Sequence, residues 1–316
     1  MANIKINFLK LNLALFILLG IFTAGYVSAA DIYVDASGAN TEENGSEANP
    51  YHSINAALVK ANNNPESSRQ ISVKSGNYQE EIVLPENTTL SGVSRDTVLI
   101  NRENLEGTTV TMGKNSIIEN VTIAGGNYGL VVPEHRKATI RNCVVEKTKR
   151  IGIWIKRSNK LKINGVDIWD SKIEDNDKKG LYGEARFIYF INNRFENNGE
   201  EGIDLRSKIN GTISNNTISN NREGGVEVEI RQVALEISHN TLTLNRSNGI
   251  TLNNRTNVGG KLIVKNNTIT DNLHYGIRCT GTKKWSRKLW RESIKNKNNA
   301  LARNVRKNIS VSCNSK

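Results

Sequence analysis

After residue 30 the chain has no apolar run long enough to cross a bilayer, which takes about 20 residues. Cysteine is scarce. Cys143, Cys279 and Cys313 are odd in number and far apart, which excludes a disulfide framework and a close-spaced metal motif, although an exported chain can pair two of them. Apolar residues make up 37% of the chain, little for a compact globule, so either the core is thin or much of the chain is loop. A body-wide charge excess is also missing. The formal net charge of +12 resides in residues 281–316, with 11 Lys/Arg and one acid, and in Lys5 and Lys10; residues 31–280 carry 30 bases and 30 acids. A neutral body excludes a broad nucleic-acid surface, and no nucleic-acid partner is expected. The basic tail either favours an anionic surface or is a solvated end.

What is present begins with a segment to set aside. Lys5 and Lys10 precede the apolar run Leu11–Phe22, and the small residues Ser28, Ala29 and Ala30 follow. This is the order of a secretory signal peptide, cleaved after Ala29 or Ala30. The mature chain is expected to be secreted, periplasmic or on the cell surface, without a transmembrane helix.

The body repeats. IENVTI (118–123), IRNCVV (140–145), INGVDI (163–168), FINNRF (190–195), ISNNTI (213–218), ISHNTL (237–242) and VKNNTI (264–269) place apolar residues five apart, with Asn common between them. Their ends step by 22, 23, 27, 23, 24 and 27 residues. A second marker, GLVV (129–132), GIWI (152–155), GLYG (180–183), GIDL (202–205), GVEV (225–228), GITL (249–252) and GIRC (276–279), steps by 23, 28, 22, 23, 24 and 27. Periods of 20–50 residues mean a repeat architecture. Apolar residues alternate within each copy, as Ile203 and Leu205 flank Asp204, which reads as strand. Copies this short close a core only by stacking, so the spacing predicts an all-β solenoid of parallel sheets.

Equivalent residues of successive coils then stack about 4.8 Å apart. The third-place column reads Asn120, Asn142, Gly165, Asn192, Asn215, His239 and Asn266, and the fourth Val121, Cys143, Val166, Asn193, Asn216, Asn240 and Asn267. Asn198, Asn221, Asn245 and Asn272 recur three places beyond the second apolar residue. Stacked amides donate one way and accept the other, forming ladders in which Asn215, Asn216 and Asn221 are expected as rungs; Asn also tolerates the left-handed backbone of a tight corner. Cys143, between Val121 and Val166, and Cys279, in the inward place of Leu252, read as buried thiols.

Residues 31–100 differ. DIYVDASGAN reads as an opening strand and loop, and Ser53 as the cap of a short helix whose Ile54, Ala57, Leu58 and Ala61 share one face. Such a helix covers the open edge of the first coil. IYVD…NGS…NPYHSINAAL…ISVKSGNYQEEIVL…TTLSGV, with the coils after it, resembles the pectin-lyase-like right-handed parallel β-helix superfamily. The resemblance implies a single-stranded right-handed parallel β-helix with an N-terminal capping helix. The chain divides into a signal peptide (1–30), cap and first coils (31–100), β-helix repeats (101–280) and a basic tail or cap (281–316), where either Trp285 and Leu289, four apart, open a basic helix or NISVSC forms one more strand. The resemblance also implies an acidic polysaccharide or cell-surface glycan as partner, and the chain is expected to be a monomer.

In the glycine-led strands the third residue points away from the core. That column reads Val131, Trp154, Tyr182, Asp204, Glu227, Thr251 and Arg278, beside Pro133, Lys156, Glu184, Arg206, Glu229, Asn253 and Thr280. Aromatic faces stack on sugar rings, so Trp154, Tyr182, Lys156, Glu229 and Arg278 are candidate substrate-binding residues. A lyase or epimerase removes the proton beside a uronate carboxylate, using a base and a cation to neutralise the growing charge. Asp204 and Glu227 are candidate bases or Ca²⁺ ligands; Arg206 and Arg231 are candidate neutralising catalytic residues. Asp204 stands about where alginate epimerases carry an acid in a Gly-aromatic-Asp-Pro-His motif, but Leu205 and Arg206 replace the Pro and His. Paired Asp with Gly-His-Gly and Arg-Ile-Lys, the polygalacturonase set, is absent. Two functions follow: an enzyme cleaving or epimerising acidic polysaccharide, with no cofactor beyond a possible Ca²⁺, or a non-catalytic surface or matrix protein that binds glycans.

Overall fold

The computed structural model describes residues 31–314 except 40, 64–68, 103–105, 135–136, 158–164, 185, 207, 231–232, 255–259 and 282–297. The signal segment, Arg231 and the Trp285–Leu289 helix lie outside the described residues.

Parallel strands form three ten-stranded sheets. One coil shows the path: Phe187–Ile191 lies in sheet I, Arg194–Glu196 in sheet II and Ile203–Leu205 in sheet III, and Asn210–Ser214 returns to sheet I one coil on. The inward residues stack in register, for example Ile140, Ile168, Phe190, Ile213, Ile237 and Val264 in sheet I, all wholly buried. Each such side chain contributes roughly 1.5–3 kcal/mol. A core of single rows needs few apolar residues, which accounts for the low apolar content.

One coil is out of phase with its sequence template. The apolar residue that pairs with Val145 and Phe195 in sheet II is Ile173, not Ile168. Ile168 is the last inward residue of the sheet I strand Gly165–Trp169, so the alternation of that strand imitates a corner five residues early. The true steps are 22, 28, 22, 23, 24 and 27, in step with the glycines to within one residue. Asp170, with φ +52°, and Ser171 therefore replace Gly165 and Val166 in the corner columns. Cys143 has Ser171, not Val166, as its upper neighbour, and the Ser171 hydroxyl accepts its backbone N–H at 3.1 Å.

Two amide ladders run up the corners. Asn193, Asn216, Asn240, Asn267 and Asn299 form the first and Asn176, Asn198, Asn221, Asn245, Asn272 and Asn304 the second. Asn216 Nδ2 donates to Asn240 Oδ1 at 2.9 Å and to Phe190 O at 2.9 Å; its Oδ1 accepts from Asn193 N at 2.8 Å. Asn215 is not a rung. It is exposed and takes the left-handed corner, φ +57°. The repeated glycine is required by close approach: a Cβ on Gly202 would lie 2.9 Å from Asn221 Nδ2 and 3.0 Å from Gly225 O.

Both ends are covered. Helix α1 (Ile54–Asn62) buries Ile54, Ala57, Leu58 and Ala61 against the first strands. Ser53 Oγ accepts from Ala56 N, and the Glu80 carboxylate accepts from Ile54 N and Asn55 N, both at 2.8 Å, a negative charge at the positive helix end. At the other end Ala300–Ala302 and Lys307–Ile309 extend sheets II and III. The strand expected through NISVSC stops at Ile309, where a 3₁₀ turn (Val311–Asn314) begins. That turn carries Cys313, which is disulfide-bonded to Cys279. Cys279 is therefore not a buried thiol; among the described cysteines only Cys143 is free, and burial pushes it up to about 12.

Candidate functional site

Sheet III carries both outward columns in the expected register. Val131, Trp154, Tyr182, Asp204, Glu227, Thr251 and Arg278 pair in sequence from coil to coil, and Glu229, Asn253 and Thr280 pair beside them. The columns differ in access. Tyr128 joins Trp154 with ring centroids 4.7 Å apart, and Lys156 Nζ lies 4.8 Å from the Trp154 centroid. Tyr182 stands on the next coil, its hydroxyl 3.4 Å from Glu184 Oε1. Tyr128, Trp154 and Tyr182 thus form a half-buried aromatic row, and Arg150 sits over Tyr128.

The row runs directly into a charged cluster. Asp204 points away from the core yet is wholly buried. Arg206 Nε lies 2.6 Å from its Oδ1, and Lys179 Nζ 3.0 Å from its Oδ2. Arg206 also reaches Glu227 Oε1 at 3.1 Å, so one guanidinium bridges the two carboxylates. Lys179 contacts Glu201, and Glu200 at 3.2 Å. Burial alone would lower the pKa of Arg206, but its hydrogen bond to Asp204 and the surrounding carboxylates hold it above the ordinary value; Lys179 is held up likewise by Glu201 and Asp204. Burial raises Glu227 against the opposing charge of Arg206. Glu223, on the next coil, is pushed up to about 7 by its hydrogen bond to Glu201 and by burial.

Asp204, Glu227 and Arg206 are brought together, and Trp154, Tyr182 and Lys156 lie on adjoining coils of the same face. Glu229 is half-buried beside Glu227, and Arg278 is exposed two coils beyond it. A Ca²⁺ ion takes six to eight oxygen ligands. Among the described residues no three acidic, His or Cys side chains converge as a metal site, and Arg206 and Lys179 already hold the Asp204 carboxylate. The donor set does not fit Ca²⁺. Sequence reasoning missed Tyr128, Lys179, Glu201 and Glu223. Their signal was position: Lys179 and Glu201 immediately precede the repeat glycines Gly180 and Gly202, and Glu223 stands two before Gly225.

Residues 104–260 match the family model described as a right handed beta helix region. The fold is the right-handed parallel β-helix that the resemblance to the pectin-lyase-like superfamily implies. No curated protein matches it in sequence. Among solved structures, this β-helix is similar to the Dettilon tailspike protein, with TM-score 0.60, 13% identity, 87% of this chain and 59% of that one; it thus spans about three-fifths of the tailspike's length. It is also similar to the A-module of a mannuronan C-5 epimerase from Azotobacter vinelandii (TM-score 0.52, 12% identity, 81% and 92%) and to a pectate lyase (TM-score 0.50, 14% identity, 89% and 77%). At these identities the likeness is one of fold.

Proposed function

We propose that the outer face of sheet III binds a linear acidic polysaccharide on an exported protein. The observation that carries this reading is the aromatic row of Tyr128, Trp154 and Tyr182, flanked by Lys156, leading straight to the Arg206–Glu227 pair. The rings stack on sugar faces, and Lys156, Arg206 and Arg278 take carboxylates. The mannuronan epimerase and the pectate lyase share the fold by structure, which supports a polysaccharide ligand without choosing it. A Cys279–Cys313 disulfide suits an oxidising compartment outside the cytosol. Titration calorimetry with oligouronates tests the reading. Trp154→Ala and Tyr182→Ala should each weaken binding about tenfold, the equivalent of roughly 1.4 kcal/mol; unchanged isotherms would remove this face.

A second reading adds chemistry, and burial of Glu227 beside Arg206 favours it. Glu227 would take the proton beside the uronate carboxylate while Arg206 neutralises the enolate. The electron pair then either expels the leaving oxygen, giving an unsaturated sugar, or is reprotonated from the opposite face. Asp204, wholly buried, acts here as a positioning residue for Arg206, and Arg231 remains a proposed second cation. Ultraviolet absorbance for the unsaturated product and exchange of solvent deuterium into polymer test this; neither signal from oligouronates that bind leaves the protein as a binder only.

A further inference from the structure

Sheet I carries a second aromatic cluster that the sheet III reading does not use. Its outward columns are mostly polar: Thr139, Asp167, Tyr189, Thr212 and Glu236 in one, and Arg141, Trp169, Ile191, Ser214 and Ser238 in the other. Trp169 is 37% exposed and Tyr189 45%. Among the described residues neither ring stacks on another aromatic. They occupy adjacent coils, two residues out of step. Strand spacing and rise put their Cα atoms about 8 Å apart, room for two flat faces along one short glycan. Asp167 lies directly opposite Tyr189 and two residues from Trp169. Its carboxylate is half-buried and makes no hydrogen bond or ion pair to a described residue; Lys137 is the cation whose charge it feels, and burial holds its pKa up.

We propose that Trp169, Tyr189 and Asp167 form a second carbohydrate-binding patch, on the outer face of sheet I, for a neutral, hydroxyl-rich pyranose chain. The rings supply the stacking faces. Asp167 supplies an acceptor for sugar hydroxyls, in place of hydrogen bonds that no described residue gives it. The same carboxylate repels a uronate, so the patch favours an uncharged chain over the acidic one proposed for sheet III. A second protein is the poorer occupant. The exposed parts of the two rings amount to about 200 Å², against roughly 800 Å² per partner in a stable interface.

The test uses the full mature chain and three neutral probes, cellohexaose, laminarihexaose and mannohexaose, followed by calorimetry and saturation-transfer NMR. At least one hexaose should bind with one-to-one stoichiometry. Trp169→Ala, Tyr189→Ala and Asp167→Ala should each weaken it at least tenfold, with thermal midpoints near that of the parent and oligouronate binding unchanged. Failure of all three hexaoses to bind would overturn the patch. So would binding that survives Trp169→Ala and Tyr189→Ala, or that is lost in Trp154→Ala instead. Loss of oligouronate binding alone bears on sheet III and leaves this proposal standing.

Discussion

From residue 147 onward one residue at the second corner of successive coils adopts a left-handed backbone, and the column reads Lys147, Asp175, Asn197, Asn220, Leu244, Asp271 and Arg303, with φ between 51° and 59°. An L-residue there costs roughly 1–2 kcal/mol unless it is Gly or, in part, Asn or Asp. Leu244 is 55% exposed, so its side chain gains little from burial in return. Leu244→Asn should raise stability by roughly 1 kcal/mol, read from the urea midpoint at unchanged slope. Glu223 makes a pH statement at the same scale. Its folded value of about 7 stands above the ordinary 4.5, so the stability it contributes is fully present below about 4.5 and lost as pH rises through about 7. The thermal midpoint should therefore fall between pH 5 and 8, and Glu223→Gln should flatten that fall. An equal slope in the variant would place the titration elsewhere.

Elements close the two open ends of the solenoid by different means. The disulfide ties the 3₁₀ turn to sheet III across 34 residues. Removing such a link typically costs about 2–4 kcal/mol; Cys313→Ser, or reduction, should lower the unfolding free energy by that much, with unfolding of Ala300–Ile309 before the central coils. At the other end Leu58→Asp should expose the first strands and promote edge-to-edge association, visible in light scattering. The helix with its Ser53 cap was legible in the sequence because capping and helical periodicity are local. Glu80 as a second cap was not, because it reaches Ile54 and Asn55 from 26 and 25 residues away. The coil ending at Ile173 was misread for a related reason. Alternation in Gly165–Trp169 reveals which residues face inward, but where the chain turns depends on pairing with the neighbouring coils.

Over the whole molecule, two periodic markers made the solenoid and the sheet III columns legible, since identical spacing forces identical residues into one stack. Depth was not legible. Asp204 and Glu227 stand in one outward column, yet Lys179 and Arg206 cover only the first completely. The ladders impose a gradient along the same axis. In a solenoid each coil is held by its neighbours, so stability is a sum of nearest-neighbour terms. From Asn176 and Asn193 onward each of those interfaces gains amide hydrogen bonds, whereas Val121 and Cys143 hold the first column in earlier coils. Each bond contributes about 1 kcal/mol net, and orphaning a buried partner costs more. Hydrogen exchange should therefore be slowest over residues 190–245 and faster over 116–146. Asn216→Ala takes the amide away from Asn193 N, Asn193 Nδ2 and Phe190 O below, while Asn240 Oδ1 above loses the Nδ2 donor and keeps Asn216 N. It should speed exchange at both neighbouring coils while leaving Thr88–Gly92 unchanged. Uniform acceleration along the chain would mean that the solenoid opens as one unit and that the ladders do not set its local stability.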